Sequence, residues 1–237
     1  SSYVDIFTVE TKSYYEELKK TSVFKNRIEY LPNGVSLLDI DLTELDILPK
    51  ENIVVTVGRL GTYEKNNSLL LNAIKNLPIE LVKNWEFLLI GPSTQEFSKE
   101  VALFKEKNPA IANCINMTGE INNRNTLYSY LRRAKIICMT SLSESTCIST
   151  LEGMYFGTYP IITNYSDFTL DTTNNNKVGC IVENKNINAL VSSLKHIMSY
   201  DNLYCKGLES QFYVRSVFDY GVLTKSLDSI LRRYIKG

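Results

Sequence analysis

The sequence predicts an α/β fold built on a doubly wound parallel sheet. Three observations carry that reading. Short apolar runs of strand length alternate with longer amphipathic stretches of helical period, the pattern of successive β-α-β units. One apolar run, ending at Val57, is followed at once by Gly58 and Arg59, with Lys65 near the start of the next helical pattern. This puts two cations at a strand's carboxyl end, the edge of an open parallel sheet where ligands bind. With 237 residues, 44% of them hydrophobic, the chain can also bury one sizeable core. The expected architecture is Rossmann-like.

Taken in order, residues 3–9 read as a strand, 13–20 as a helix, and 27–31 as a second strand ending at the turn Pro32-Asn33-Gly34. Segment 37–49, rich in Asp, Leu and Ile without clear period, reads as a connector. Strands then follow at 53–57, 86–90, 114–117, 135–139, 159–163 and 179–182. Helices fall between them at 67–77, 95–107, 123–133 and 149–156, and another at 187–200 follows the last strand. Residues 218–236 place apolar side chains at 223, 227, 230, 231 and 234, one stripe of a terminal helix. The boundaries drawn are an N-terminal β-α-β segment at 1–35, a main domain at 36–215 and a C-terminal helix at 216–237.

Composition narrows the function classes. Lys plus Arg and Asp plus Glu number 26 each, so no global field favours nucleic acid. No apolar run approaches the roughly 20 residues of a membrane span, and no signal peptide is visible. Five cysteines form no C-x-x-C pair, which points to a reducing cytoplasm. Cys114, Cys138 and Cys180 read as small core residues of strands. The single histidine, His196, lies in a helical pattern, and no zinc site is expected.

The segment 143–152 reads Ser-Glu-Ser-Thr-Cys-Ile-Ser-Thr-Leu-Glu, a loop entering a helix. Glu144 and Glu152 bracket a helical path of ~12 Å at most, enough to engage two hydroxyl-rich groups of one extended ligand. Ser145, Thr146, Ser149 and Thr150 are expected to cap the helix and leave its first N–H groups for an anion. Arg59 and Lys65 suit a diphosphate. Acidic pairs at this spacing also occur on ordinary solvated helix faces, so the signal rests on the two segments together.

These residues carry a resemblance. Gly58-Arg59 with Lys65, Leu89-Ile90-Gly91, Met117-Thr118-Gly119, Ser141 to Glu144, Leu151-Glu152-Gly153-Met154 with Gly157 and Pro160-Ile161, and Gly179 to Val182 occur in one order and spacing. From about Tyr30 to the C-terminus the chain resembles the nucleotide-sugar half of a retaining glycosyltransferase of the GT-B fold, family 4 (group 1). The resemblance implies that Arg59 and Lys65 neutralise the departing β-phosphate, that Glu144 lies near the donor sugar and that Glu152 accepts from ribose hydroxyls. It further implies contacts from Gly58, Thr146, Cys147 and Thr150, with the base read by backbone near Gly119 and Ile121. Two cations and a helix N-terminus stabilise the leaving group without a metal ion. No Asp-x-Asp motif stands near a predicted strand end. No cofactor is expected beyond the nucleotide-sugar substrate.

The resemblance makes the first β-α-β segment the end of an acceptor-binding N-terminal domain, and the absence of an initial Met reads as a fragment of a longer chain. The acceptor, whether glycan, lipid or protein, is left open, as is the base among uracil, guanine and adenine. Ser145-Thr146-Cys147 replaces the Gly-aromatic-Gly usual in the family, which leaves the donor sugar open too. The alternatives are a non-catalytic nucleotide-sugar-binding or partner-docking module, a storage-glucan synthase or phosphorylase of the same fold, and a nicotinamide dehydrogenase. No G-x-G-x-x-G follows the first strand of the main domain, which disfavours the last. Lys225, Arg232, Arg233 and Lys236 make the terminal helix basic, so peripheral contact with the inner membrane face stands beside docking on protein.

Overall fold

The computed structural model describes residues 4–24, 27–36 and 49–235. The connector expected at 37–49 lies outside them except for its last residue, and so do residues 1–3 and 236–237.

A small N-terminal unit pairs β1 (Phe7–Val9) with β2 (Ile28–Tyr30) in parallel, with α1 (Lys12–Leu18) between them. Thr11 caps α1 by accepting from the Tyr14 amide. The main sheet follows, all parallel: β3 (Glu51–Val57), β4 (Glu86–Ile90), β5 (Ile115–Gly119), β6 (Ala134–Met139), β7 (Tyr159–Thr163) and β8 (Cys180–Val182). Their spatial order is β5-β4-β3-β6-β7-β8. Alternate residues along the central strands enter two separate cores. Val54, Phe87, Leu89, Ile136, Cys138 and Ile161 pack on one face. Ile53, Val55, Leu88, Ile90, Ile137 and Ile162 pack on the other. Burial on both faces explains the near-continuous apolar runs.

Helices α2 (Asn67–Lys75), α4 (Gln95–Lys107) and α8 (Ile187–Met198) cover the first face. The second is covered by α5 (Arg124–Arg133), α6 (Ile148–Tyr155), α7 (Phe168–Thr172) and α9 (Leu203–Val217). The sequence pattern locates the strands and most of the helices within a few residues. It misses α3 (Ile79–Val82), α7 and α9. The first two are a single turn. In α9 the apolar residues surround the axis rather than forming a stripe, and Gly207 lets the helix press on the Gly157 carbonyl; a Cβ there would stand 2.2 Å from that oxygen. Tertiary packing selects this helix. Cys114 is not in a strand but ends a 3-10 turn before β5.

The last helix, α10 (Tyr220–Ile235), buries Leu223 and Ile230, whereas Leu231, expected on the same stripe, is exposed. Val35 pairs with Asp219 at its entry, and Arg233 reaches Glu29 of β2 at 3.0 Å. This end of the chain therefore returns to the N-terminal unit.

Candidate active site at the sheet switch point

The chain lays β3, β4 and β5 in one direction, then begins again with β6 on the other side of β3. The helices following β3 and β6 consequently leave toward opposite faces of the sheet. Adjacent strands whose connections diverge open a crevice at their carboxyl ends. The loops bordering it are 58–66 and 140–147, the two segments singled out from the sequence.

Backbone geometry fixes the first loop. Gly58 and Gly91, at the ends of neighbouring strands, have φ of +150° and +132°. A Cβ on Gly91 would stand 2.0 Å from the Gly58 carbonyl oxygen, a distance only glycine tolerates. One on Gly58 would stand 3.2 Å from Lys65 Cε, so the lysine chain lies across this glycine. The second loop is tied to the first by the Leu142 amide donating to the Glu64 carbonyl at 2.7 Å and the Thr140 hydroxyl donating to the Asn66 carbonyl at 3.0 Å.

Lys65 Nζ forms an ion pair with Glu144 Oε1, both side chains mostly buried. Ser141 Oγ donates to the same carboxylate oxygen at 2.7 Å. Arg59 is exposed. Glu64 is held below the usual carboxylate range by its own backbone amide first, then the Thr62 hydroxyl, with Arg59 and Lys65 adding to it. Both cations thus lie near Glu64 in the first loop.

At α6 the structure corrects the expected capping. Cys147 is the N-cap and no side chain caps the helix. The amides of Ile148 and Thr150 donate to the Thr146 and Cys147 carbonyls, so these first N–H groups are already engaged. Thr146 turns instead to the N-terminal unit, where its hydroxyl donates to Glu10 at 3.1 Å. Cys147 and Thr150 are buried, and burial pushes the Cys147 thiol up, away from nucleophilic chemistry. Their side chains present no ligand surface in this arrangement.

Glu152, in the middle of α6, is 7% exposed. Its Oε1 accepts from Arg124 Nη1 at 2.6 Å and from the Tyr128 hydroxyl at 3.2 Å. The sequence reading missed both partners. Their i, i+4 spacing at the head of α5 was visible as a shared helix face, but its target 28 positions on was not. Gly119, at the end of β5, has φ of +72° with open space before it, and Ile121 packs half-buried against the neighbouring core. Between the N-terminal unit and the crevice lies a cavity of about 270 Å³ bordered by Glu10, Tyr14, Glu144, Ser145 and Asp167. Among the described residues no group of three His, Cys, Asp or Glu is placed to hold a metal ion.

A family model described as glycosyl transferases group 1 matches residues 40–206. The chain belongs to the group 1 glycosyl transferases. Its sequence is 27% identical over 191 residues to a Campylobacter jejuni enzyme. That relative is GalNAc-alpha-(1->4)-GalNAc-alpha-(1->3)-diNAcBac-PP-undecaprenol alpha-1,4-N-acetyl-D-galactosaminyltransferase; the match covers 81% of this chain and 49% of the relative. Among solved structures, sucrose-phosphate synthase from Thermosynechococcus elongatus superposes with a TM-score of 0.75 at 20% identity, over 98% of this chain and 59% of that one. Anabaena HepE, solved with UDP and glucose, gives 0.72 at 12% identity, over 98% and 64%. This group 1 glycosyl transferase chain therefore spans about half the length of the curated relative it matches. At these identities the solved structures establish the Rossmann-like fold. No helix among the described residues is long and apolar enough to cross a membrane.

Proposed function

We propose that this chain binds a nucleoside-diphosphate sugar and forms the donor half of a retaining glycosyltransferase that needs no metal ion. The observation that carries the reading is the convergence of loop 58–66 and the Glu144 and Glu152 segment at the switch point of the sheet. Arg59 and Lys65 meet the diphosphate, and Glu152 accepts from the ribose. Glu144, held by Lys65 and Ser141, borders the donor sugar. As the bond to the sugar breaks, negative charge grows on the β-phosphate. Lys65 then exchanges part of its pairing with Glu144 for that charge, an interaction strongest in the transition state. Gly119 and Ile121 lie beside the base.

The solved relative carrying UDP and glucose supports a nucleotide-sugar ligand. The Campylobacter relative acts on an undecaprenol-linked glycan, which favours a lipid-linked or glycoconjugate acceptor at the cytoplasmic membrane face. That acceptor is held by a further N-terminal domain, to which the unit at residues 7–30 belongs, and α10 docks on that domain. The test is release of nucleoside diphosphate from UDP-, GDP- and ADP-sugars by this chain and by a version carrying the preceding domain. Turnover confined to the longer version supports a two-domain transferase. Binding without turnover by either makes the chain a nucleotide-sugar-binding module. Absence of binding by both rejects the assignment.

A further inference from the structure

We propose that Arg124 and Tyr128 are positioning residues that hold Glu152 with one carboxylate oxygen bound to the protein and the other presented to a ribose hydroxyl. The proposal rests on the donor-binding reading above.

Both contacts to Glu152 fall on one atom. Arg124 Nη1 and the Tyr128 hydroxyl converge on Oε1, and Arg124 Nη1 also donates to the Tyr128 oxygen at 2.7 Å, closing a three-membered ring of hydrogen bonds. Among the described residues Oε2 has no protein partner, and it is not among the sealed polar atoms of the interior. A carboxylate on a helix of the core is thus pinned at one oxygen and open at the other, which suits a single hydroxyl donor from solvent or ligand.

The pin is itself anchored. Tyr128 is 1% exposed and its ring packs against Phe156, with centroids 4.9 Å apart. Phe156 follows Glu152 by one helical turn, so the tyrosine is clamped to the same helix whose carboxylate it orients. Arg124 differs. Its side chain is 70% exposed while that of Glu152 is 9% exposed, so the guanidinium covers the carboxylate from the solvent side. Its charge has a second consequence. Glu144 and Glu152 are two carboxylates beside a ligand that carries a diphosphate, and Lys65 is already paired with the first. Arg124 neutralises the second, so the anionic ligand meets a balanced site. The hydrogen bond from Arg124 and the negative charge of Glu152 tie the three groups electrostatically: the first raises the arginine's affinity for its proton, while burial and then Glu152 raise that of Tyr128.

The experiment is calorimetric titration of the chain with UDP, GDP and ADP, followed by the 2′,3′-dideoxy analogue of whichever binds best. The proteins are wild type, Tyr128→Phe, Arg124→Leu and Arg124→Lys, each with its melting curve. For the ribonucleotide we expect about fivefold weaker binding in Tyr128→Phe and about tenfold in Arg124→Leu, the size of one ordinary hydrogen bond. Arg124→Lys, which keeps the charge, recovers most of the loss. For the dideoxy analogue, which lacks the hydroxyls, Tyr128→Phe and Arg124→Lys stay within about twofold of wild type, and Arg124→Leu loses clearly less than for the ribonucleotide, because only the charge it removes still bears on the diphosphate. Equal losses for both nucleotides overturn the proposal, because they place the residues in general structure or in contact with phosphate or base. Unchanged ribonucleotide affinity in both Tyr128→Phe and Arg124→Leu overturns it as well. If Tyr128→Phe does not fold, the exposed Arg124→Leu decides alone. A wild type that binds none of the three nucleotides instead defeats the donor-binding reading and this inference with it.

Discussion

Substituting Gly91 by alanine tests the close crossing that shapes the crevice. The added methyl would meet the Gly58 carbonyl oxygen at 2.0 Å and the Gly58 carbonyl carbon at 2.9 Å, both backbone atoms of the neighbouring strand end. A rotamer change cannot relieve this; β3 and β4 must move apart at their carboxyl ends. The φ of +132° adds strain for any L-residue with a side chain, on the order of 1–3 kcal/mol. Overpacking adds about 1–3 kcal/mol, so Gly91→Ala should lose about 4 kcal/mol of stability in total. Gly119→Ala is the internal control. Its φ is also positive, at +72°, but nothing lies within 4 Å of its Cβ position. It should lose only about 1 kcal/mol, the cost of the left-handed conformation by itself. Urea denaturation of both variants at one pH measures the difference, with equal m-values showing that the unfolding reaction is unchanged. Losses that agree within about 0.5 kcal/mol, the ordinary scatter of a neutral surface change, would refute the close approach as the constraint on Gly91.

Other outcomes follow from particular contacts. Arg59→Ala and Lys65→Ala should each weaken nucleoside-diphosphate binding at least ~tenfold, and unchanged calorimetric affinity in both would remove the diphosphate from the crevice. Binding should persist in EDTA, and a requirement for Mg²⁺ or Mn²⁺ would contradict the assignment of leaving-group charge to Arg59 and Lys65. Lys50 donates to the carbonyls of Leu131, Ala134 and Phe156, while burial, and secondarily Arg132, lower its pKa to about 7. Above about 10.5 the lysine is neutral in folded and unfolded chains alike, and its stabilising share is lost as pH falls toward 7; wild type should gain about 2 kcal/mol between pH 7 and 9, an increment that denaturant titration should not find in Lys50→Met. The Asp171 carboxylate accepts from the Lys12 amide at 2.8 Å; Asp171→Ala should therefore speed amide exchange in α1 while leaving nucleotide affinity unchanged, and equal exchange in both proteins would count against that tether.

The repeating units and the residues of the crevice are written locally along the chain. Strand and helix periods depend on which neighbours along the chain share a face, so the runs ending at Val57, Ile90 and Met139 could be read directly, as could a helix over 95–107. The residues of the two loops were legible too, because cations after a strand and acids at a helix mouth are local signals. Partnership between residues, by contrast, arises from the fold. Lys65 meets Glu144 from 79 positions away, and Arg124 and Tyr128 reach Glu152 across a helix, a strand and a loop. The direction of Thr146 toward Glu10 and the burial of Cys147 also depend on elements distant in the chain. Such contacts form only after β6 is laid against β3, and the energies that select that placement belong to packed surfaces rather than to any segment read alone.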